Sequence, residues 1–559
     1  MGGALSFGRF RQKEPKKLSR EVRIRTGLIQ GFLVDIDNNR EVEMYLGIPF
    51  AEPPVGELRF KKPEPPSDWE GVRQCTRFGH RAPQSDFFWE RWTLGVGKSE
   101  DCLTLNVFAP TWSPPDNEDG FAVMVFVHGG GFVIDSAVKY GDVGIARYLV
   151  RHDVVVVTIQ YRLGLLGFFS TGDENCPGNN GLWDQTMALQ WVQDNIHAFK
   201  GDPRRVTVFG QSAGGASVDL LTLSPHSRNL FHQVMPMAGN AECEWATVSK
   251  TRLVDTCRQF AKSKGFVSGS YNTRANADML KWLRERPAKE FERGLLGRKG
   301  VDTSKLGLDL APVVGSEPSD FFPKPLAELR KEAPKKNAMG GTCDQEGLLF
   351  AAVAPGGMDE KGFDRLLTVC ISEDMFHLDY KELREKAREV YLKDIDVKDK
   401  LQMATAFVKL YSDMFLNNGT ARYVRSMVEH GNKVYAYSFE YFNPRSYGFL
   451  ALKMPFKAAS HCSELAYLFG HGIVVKFKMN DDDRKMQDLM TRMWTNFVKY
   501  GNPNGPYEDS TVFDFMWEPA TAENDYSHLA ITDKCVMKDE YHERRFDFWK
   551  EIKVVAKNI

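Results

Sequence analysis

The 559-residue chain sets 73 lysines and arginines against 74 aspartates and glutamates, a formal net charge of −1. That balance supplies no overall field for nucleic acid, and no apolar run reaches the roughly 20 residues of a membrane span. With 42 % hydrophobic and 26 % charged residues, and no repeat or low-complexity linker, the chain reads as a short arm, residues 1–20, ahead of one folded unit, residues 21–555.

The arm begins "MGGALSFGRFRQKEPKKLSREVRIR". It has no apolar core of a secretory signal. It fits M-G-x-x-x-[ST], with Gly2 as acyl acceptor and Ser6 at the hydroxyl position. Arg9, Arg11, Lys13, Lys16, Lys17, Arg20, Arg23 and Arg25 face only Glu14 and Glu21. One myristoyl chain binds a membrane marginally, whereas a chain plus a basic patch anchors stably. The expectation is a protein that is not secreted and is held on a cytoplasmic membrane face through Gly2 and this patch. A solvated, unmodified basic arm is the plainer reading. Nine cysteines leave at least one thiol free in a monomer, and a reducing compartment disfavours stable disulfides.

Further along, "FAVMVFVHGGGFV" starts at Phe121. Its apolar run reads as a buried central strand. It ends in Gly129, Gly130 and Gly131, which let the backbone approach a ligand and aim successive N–H groups at it. "DVVVVTIQY" at 153–161 reads as a second buried strand, and "DQTMALQWVQDNIHAF" from Asp184 as a helix. Next comes "RVTVFGQSAGGASVDLL", 205–221. Val206, Val208 and Phe209 predict a strand, and Ala216, Val218, Leu220 and Leu221 a helix just past Ser212. A chance G-x-S-x-G in a chain this long is roughly a one-in-five event. A strand and a helix on its two sides make it the setting of a nucleophile elbow. Strands alternating with helices predict an α/β fold, a mostly parallel sheet covered by helices on both faces.

Five longer strings carry a family resemblance: "YLGIPFAEPPVGELRF" at 45–60, "SEDCLTLNVFAP" at 99–110, "NNGLWDQTMALQWVQDNI" at 179–196, "GQSAGG" at 210–215 and "MWTNFVKYGNPN" at 493–504. With them the chain resembles the type-B carboxylesterase/cholinesterase family of α/β-hydrolases, from about Val22 to Trp549. The resemblance implies an α/β-hydrolase fold with large loop and helix insertions forming a gorge. It implies that the acid lies in "GGTCDQEGLLF" as Glu346, and the base in "SHCSELAYLFG" as His461, with Glu464 as a structural partner. The order Ser212, Glu346, His461 is the order this fold uses. Gly130, Gly131 and Ala213 are implied as oxyanion donors, and no cofactor or metal is implied.

Departures from the family refine the substrate. Cholinesterases carry Glu before the nucleophile, whereas this chain has Gln211, which removes a negative charge from the substrate path. Trp92 stands at the spacing of a choline-stacking tryptophan; without the charge it reads as a gorge-lining aromatic, so Trp92 and Gln211 are expected to bind a neutral ester. Cys75 and Cys102 match the first disulfide of secreted members and are left open between one bridge and two buried thiols. Trp282 and Phe546 stand where some members have cysteine. The sequon at Asn418 would stay unmodified in a cytosolic chain. The remaining cysteines have no zinc-like spacing. The functional expectation is a serine carboxylesterase for small neutral esters, of open oligomeric state. An acyltransferase would use the same acyl-enzyme, and a neuroligin-like binding protein would share the fold without the chemistry.

Overall fold

The computed structural model describes residues 16–37, 40–86, 94–115, 118–295, 307–353, 357–373, 379–472 and 474–552. Thirteen strands form one sheet among them. They are β1 (Leu18–Ile24), β2 (Gly27–Asp37), β3 (Arg40–Pro49), β4 (Val72–Gln74), β5 (Thr104–Pro110), β6 (Phe121–Val127), β7 (Val154–Ile159), β8 (Gly201–Gln211), β9 (Gln233–Met237), β10 (Asn337–Cys343), β11 (Val434–Phe439), β12 (His528–Ile531) and β13 (Val536–Lys538). The spatial order is β1-β2-β3-β5-β7-β6-β8-β9-β10-β11-β12-β13, with β4 beside β2. From β7 through β12 each neighbouring pair is parallel, and the flanks are antiparallel apart from the short parallel pair of β2 and β4. The carboxyl ends of β6, β8, β10 and β11 therefore open onto one edge, where ligands of such sheets bind.

The two-sided burial follows from the side-chain period of a strand. In β6, Val123, Val125 and Val127 enter one core and Ala122, Met124 and Phe126 the other. The first core is closed by the helices Asn180–Asn195 and Ala213–Leu223, the second by Asp481–Tyr500. The expected sheet, covered on both faces, is what forms. A third apolar cluster joins Leu348, Phe363, Phe407 and Tyr447 to Trp549 and caps the carboxyl edge.

The family-like strings have local physical reasons. The helix predicted from Asp184 starts earlier, at Asn180. Asn179 adopts a left-handed turn there, and its side-chain amide exchanges hydrogen bonds with the backbone of Val313 at 2.7 and 2.8 Å. Asp184 within that helix pairs with Arg162 at 2.6 Å, both ends buried. Removing one member of such a pair costs about 3–5 kcal/mol, because the other charge is stranded. The helix Asp481–Tyr500 opens on a capping box of Asn480 and Asp483 and closes on Gly501 at φ +67°, a conformation glycine adopts freely.

One boundary moves, and two other readings gain a structural answer. The arm was read as residues 1–20, but Leu18, Ser19 and Arg20 already belong to β1. Arg20 bonds Glu43, and Lys17 bonds Glu41 at 2.5 Å, so part of the basic patch is spent on the body of the protein. Gly2 and Ser6 lie outside the described residues. Cys75 and Cys102 are buried, separate thiols, not a bridge; burial pushes the Cys75 pKa up to about 12, which suppresses the thiolate that forms disulfides. Asn418 is 3 % exposed inside a helix, so packing leaves no room for a glycan on it.

Candidate active site

β8 lies parallel to β6 with Gly210 opposite Val127. The chain then reverses at Ser212, whose φ of +60° and ψ of −126° are unusual for a residue with a side chain. Its N–H bonds Met237 O at 2.9 Å. The next residue starts the helix Ala213–Leu223, buried at every position. A Cβ at Gly214 would sit 2.1 Å from Val127 O, and one at Gly210 2.6 Å from Gly214 O. Strand and helix thus meet more closely than any side chain allows, which is what the G-x-S-x-G spacing requires.

After β6, His128 stacks on Tyr161 with ring centroids 4.5 Å apart, and Tyr161 donates to His128 O at 2.9 Å. A Cβ on Gly129 would lie 2.6 Å from Gln211 O and 3.1 Å from Ser212 Cβ, so this loop presses against the elbow. Gly130, Gly131 and Phe132 have φ of +93°, +60° and +61°. Gly130 O accepts from the N–H groups of Val133 and Ile134. Among the described residues, the N–H groups of Gly130, Gly131 and Ala213 donate to no protein acceptor. Free donors at a helix N-terminus and a glycine turn suit an oxyanion.

Glu346 follows β10 and is fully buried. Its Oε1 accepts from the Cys343 N–H at 2.6 Å, and its Oε2 meets His461 Nδ1 at 2.6 Å. The loop carrying His461 is stitched to the Glu346 turn through Gln345 N–H to Ala459 O, 2.9 Å. Phe350 packs on the imidazole at 4.9 Å. Burial disfavours the charged form of His461, but Cys462 and the Glu346 carboxylate outweigh it and hold the ring well above the ordinary histidine value. Glu464 lies one step behind. Its Oε2 accepts from the Cys343 thiol at 3.0 Å and its Oε1 has no partner. Burial, then the charge of Glu346, raise it to about 7.

The structure brings Glu346, His461 and Gln211 into contact and places Ser212 next to Gln211 at the loop of Gly129. Ser212 Oγ forms no hydrogen bond to His461 among the described residues; Gln211 Nε2 lies 3.2 Å from His461 Nε2. Catalytic hydrogen bonds of this kind often tighten only in the substrate complex. Trp92 lies outside the described residues. The aromatic wall that is described comes from elsewhere: Tyr411 and Phe415 stack at 4.4 Å, and Phe350 lies 6.0 Å from Phe415. The spacing of Phe407, Tyr411 and Phe415, four apart on one helical face, was a signal for it. The Cys343 and Cys462 contacts had none. A narrow pocket of about 30 Å³, with Leu349, Tyr447, Leu450, Val475 and Phe477 on its walls and Ser446, Ser460 and Ser463 among them, reaches His461 and Cys462. Among the described residues no cluster of His, Cys, Asp and Glu could hold a metal ion, and no helix is long and apolar enough to cross a membrane.

A parallel sheet whose β8 ends in a serine elbow, with a glycine loop on one side and a Glu–His pair on the other, defines an α/β-hydrolase. A model described as the carboxylesterase family matches residues 18–549, and the chain belongs to that family. It is similar to esterase cest-33 of Caenorhabditis elegans, 41 % identical over 515 residues, covering 91 % of this chain and 90 % of that one. It is also similar to juvenile hormone esterase of Tribolium castaneum, 34 % identical over 492 residues, covering 84 % and 81 %. Human carboxylesterase 3 is 32 % identical over 515 residues, covering 88 % and 84 %. The protein is a carboxylic ester hydrolase of the serine type; these relatives give no support to the acyltransferase or binding-protein alternatives.

Proposed function

We propose that Ser212 is the nucleophile, His461 the general base and Glu346 the residue that orients it. The observation that carries this reading is the 2.6 Å contact of His461 Nδ1 with buried Glu346, beside the elbow that presents Ser212. Ser212 Oγ attacks the ester carbonyl while His461 Nε2 takes its proton. Glu346 keeps Nδ1 protonated and balances the imidazolium. The N–H groups of Gly130, Gly131 and Ala213 receive the negative charge of the carbonyl oxygen; losing one such donor typically costs ~3–4 kcal/mol. The intermediate expels the alcohol, which takes the proton from His461. Water then attacks the acyl-Ser212 ester with the same base, releasing the acid.

Neutral, apolar esters fit this site best. Gln211 brings no charge, and Phe350, packed on the base, continues into Tyr411 and Phe415 as an apolar wall. The N-terminal pattern supports a further element: a myristoyl group on Gly2, aided by the arm's cations, would hold the enzyme peripherally on a cytoplasmic membrane face. Gly2→Ala should move the enzyme from the membrane fraction to the soluble one; full retention of the variant on membranes would remove the lipid from this reading.

The catalytic assignment is tested with a fluorophosphonate probe and a short-chain aryl ester. Wild type should label and turn over, and folded Ser212→Ala should do neither. Labelling that persists in the variant, or a folded wild type that never labels, would overturn it.

A further inference from the structure

Each of the three N–H groups assigned to the oxyanion belongs to a trans peptide, so the carbonyl of that peptide points the opposite way. Whatever holds the carbonyl therefore aims the donor. Behind the Ala213 N–H stands Ser212 O, which accepts from the Ala216 N–H at 2.9 Å. Behind the Gly131 N–H stands Gly130 O, which accepts from the Val133 and Ile134 N–H groups, both at 3.1 Å. Backbone fixes these two. Behind the Gly130 N–H stands Gly129 O, and among the described residues only side chains reach it: His128 Nδ1 at 3.1 Å and the Tyr161 hydroxyl at 3.5 Å. Burial holds His128 below the ordinary histidine value, so the ring is neutral, and a carbonyl only accepts, so Nδ1 carries its proton. His128 Nε2 has no partner among the described residues. The Tyr161 proton goes to the nearer carbonyl, His128 O at 2.9 Å, and the phenol ring stacks on the imidazole with centroids 4.5 Å apart.

The Gly129–Gly130 peptide has glycine on both sides, so no Cβ resists its rotation. Rotated, it would aim Gly129 O at the oxyanion and turn an attraction into a repulsion. We propose that Tyr161 is a positioning residue for the oxyanion hole: its hydroxyl holds His128 O and its ring holds the imidazole that bonds Gly129 O, so that the Gly130 N–H stays turned toward the carbonyl oxygen under attack. This rests on Ser212 being the nucleophile and Gly130 a donor to its intermediate. Tyr161 is itself fixed. It is fully buried just past β7, and the next residue, Arg162, is locked to Asp184 through both its backbone N–H and its guanidinium. Further on, the Gly164 N–H donates to Phe132 O at 2.7 Å. The segment after β7 thus grips the glycine loop at its exit through backbone and at its entry through the Tyr161 side chain.

The expected signature is a loss confined to the tetrahedral state. An alkyl trifluoromethyl ketone reports on that state: Ser212 Oγ bonds the ketone carbon, its proton passes to His461, and the carbonyl π pair becomes an oxyanion in the hole. The matching trifluoromethyl carbinol has nearly the same shape and no carbonyl to attack. Tyr161→Phe keeps the ring and removes the hydroxyl. Per fluorophosphonate-labelled serine, it should lower kcat with an aryl ester about tenfold and leave KM within about twofold, short of the ~10²–10³ that loss of a whole donor costs. The ketone should weaken about tenfold as well, while the carbinol binds as before. His128→Phe, which keeps a stacked ring and removes the Nδ1 proton, should show the same pattern, and the double variant should lose less than the product of the two. Wild-type kcat and wild-type ketone affinity in Tyr161→Phe would overturn the proposal. So would equal losses for ketone and carbinol, which mark a general loosening, and losses in the two variants that multiply in full, which mark separate actions. The wild type separates the two levels: an enzyme that binds the ketone no better than the carbinol sinks the catalytic reading itself, whereas a wild-type preference for the ketone that Tyr161→Phe keeps in full sinks only the role of Tyr161.

Discussion

The Ser212 turn and the His461 loop face each other across the site and are built by opposite means. The turn is steric. It joins a strand directly to a helix, and Gly210 and Gly214 are there because backbone oxygens occupy the space of a Cβ. The His461 loop is polar. It leaves β11 at Phe439 and passes through one short 3-10 helix, Gly448–Leu452, to Glu464 before the next α-helix. Hydrogen bonds hold it, from Gln345 to Ala459 and from Cys343 to Glu464, together with the Glu346–His461 pair. Its base is pinned at its far end too, where Tyr467 and Asn443 bond Asp483. A steric turn rejects added atoms at any pH. A polar assembly tolerates isosteres in shape but responds to protons.

The largest expected effect strips chemistry from the steric side without touching its shape. Ser212→Ala should lower kcat by on the order of 10⁴–10⁶ with an unchanged thermal melt; a melt that falls as well would mean that the serine also supports the turn. On the polar side, Glu346→Gln keeps the shape and should still cost about 10³–10⁴ in kcat, because an amide can leave the imidazole in the wrong tautomer. Gly214→Ala attacks shape alone. It should destabilise by at least about 3 kcal/mol by the same amount at pH 6 and pH 8, measured by urea unfolding. A strong pH dependence there would blur the distinction between the two regions.

Two smaller effects belong to the polar side. His461 is raised above the ordinary histidine value, so kcat/KM should be lost as pH falls through a midpoint above about 6.5; a midpoint below that would mean Glu346 is not charged beside the ring. Glu464 is raised from 4.5 to about 7 in the fold. The folded state therefore binds this proton more tightly than the unfolded chain does. The stability this contributes is complete below pH 4.5 and is lost as pH rises through about 7, a change on the order of 1–3 kcal/mol. Glu464→Gln should flatten that slope between pH 5 and pH 8. An unchanged slope would assign the titration to another group.

The same contrast explains what could be read in advance. The steric half was legible from residues close together in sequence: the apolar run of β6, the glycines after it, and G-x-S-x-G between a strand and a helix. The polar half was reached through resemblance, because Glu346 and His461 lie 115 residues apart and nothing local marks either as a partner. Gln211 was legible as an uncharged departure from the family, and its neighbours were not. Its contact with Cys462 spans 251 residues. Tyr411 and Phe415 carried a helical spacing that is equally consistent with ordinary core packing, so only the fold revealed them behind Phe350, the ring that packs on His461.

By itself the sequence determined the central strands β6, β7 and β8, their two-sided burial and the serine turn, since those follow from side-chain period and from the room a Cβ needs. The tertiary structure decided which acid meets which base, which amide lies against the ring and which thiol donates to that amide. Those contacts depend on parallel strands delivering distant loops to one edge of the sheet. Hydrogen bonds act over about 3 Å, a distance that no spacing along the chain encodes.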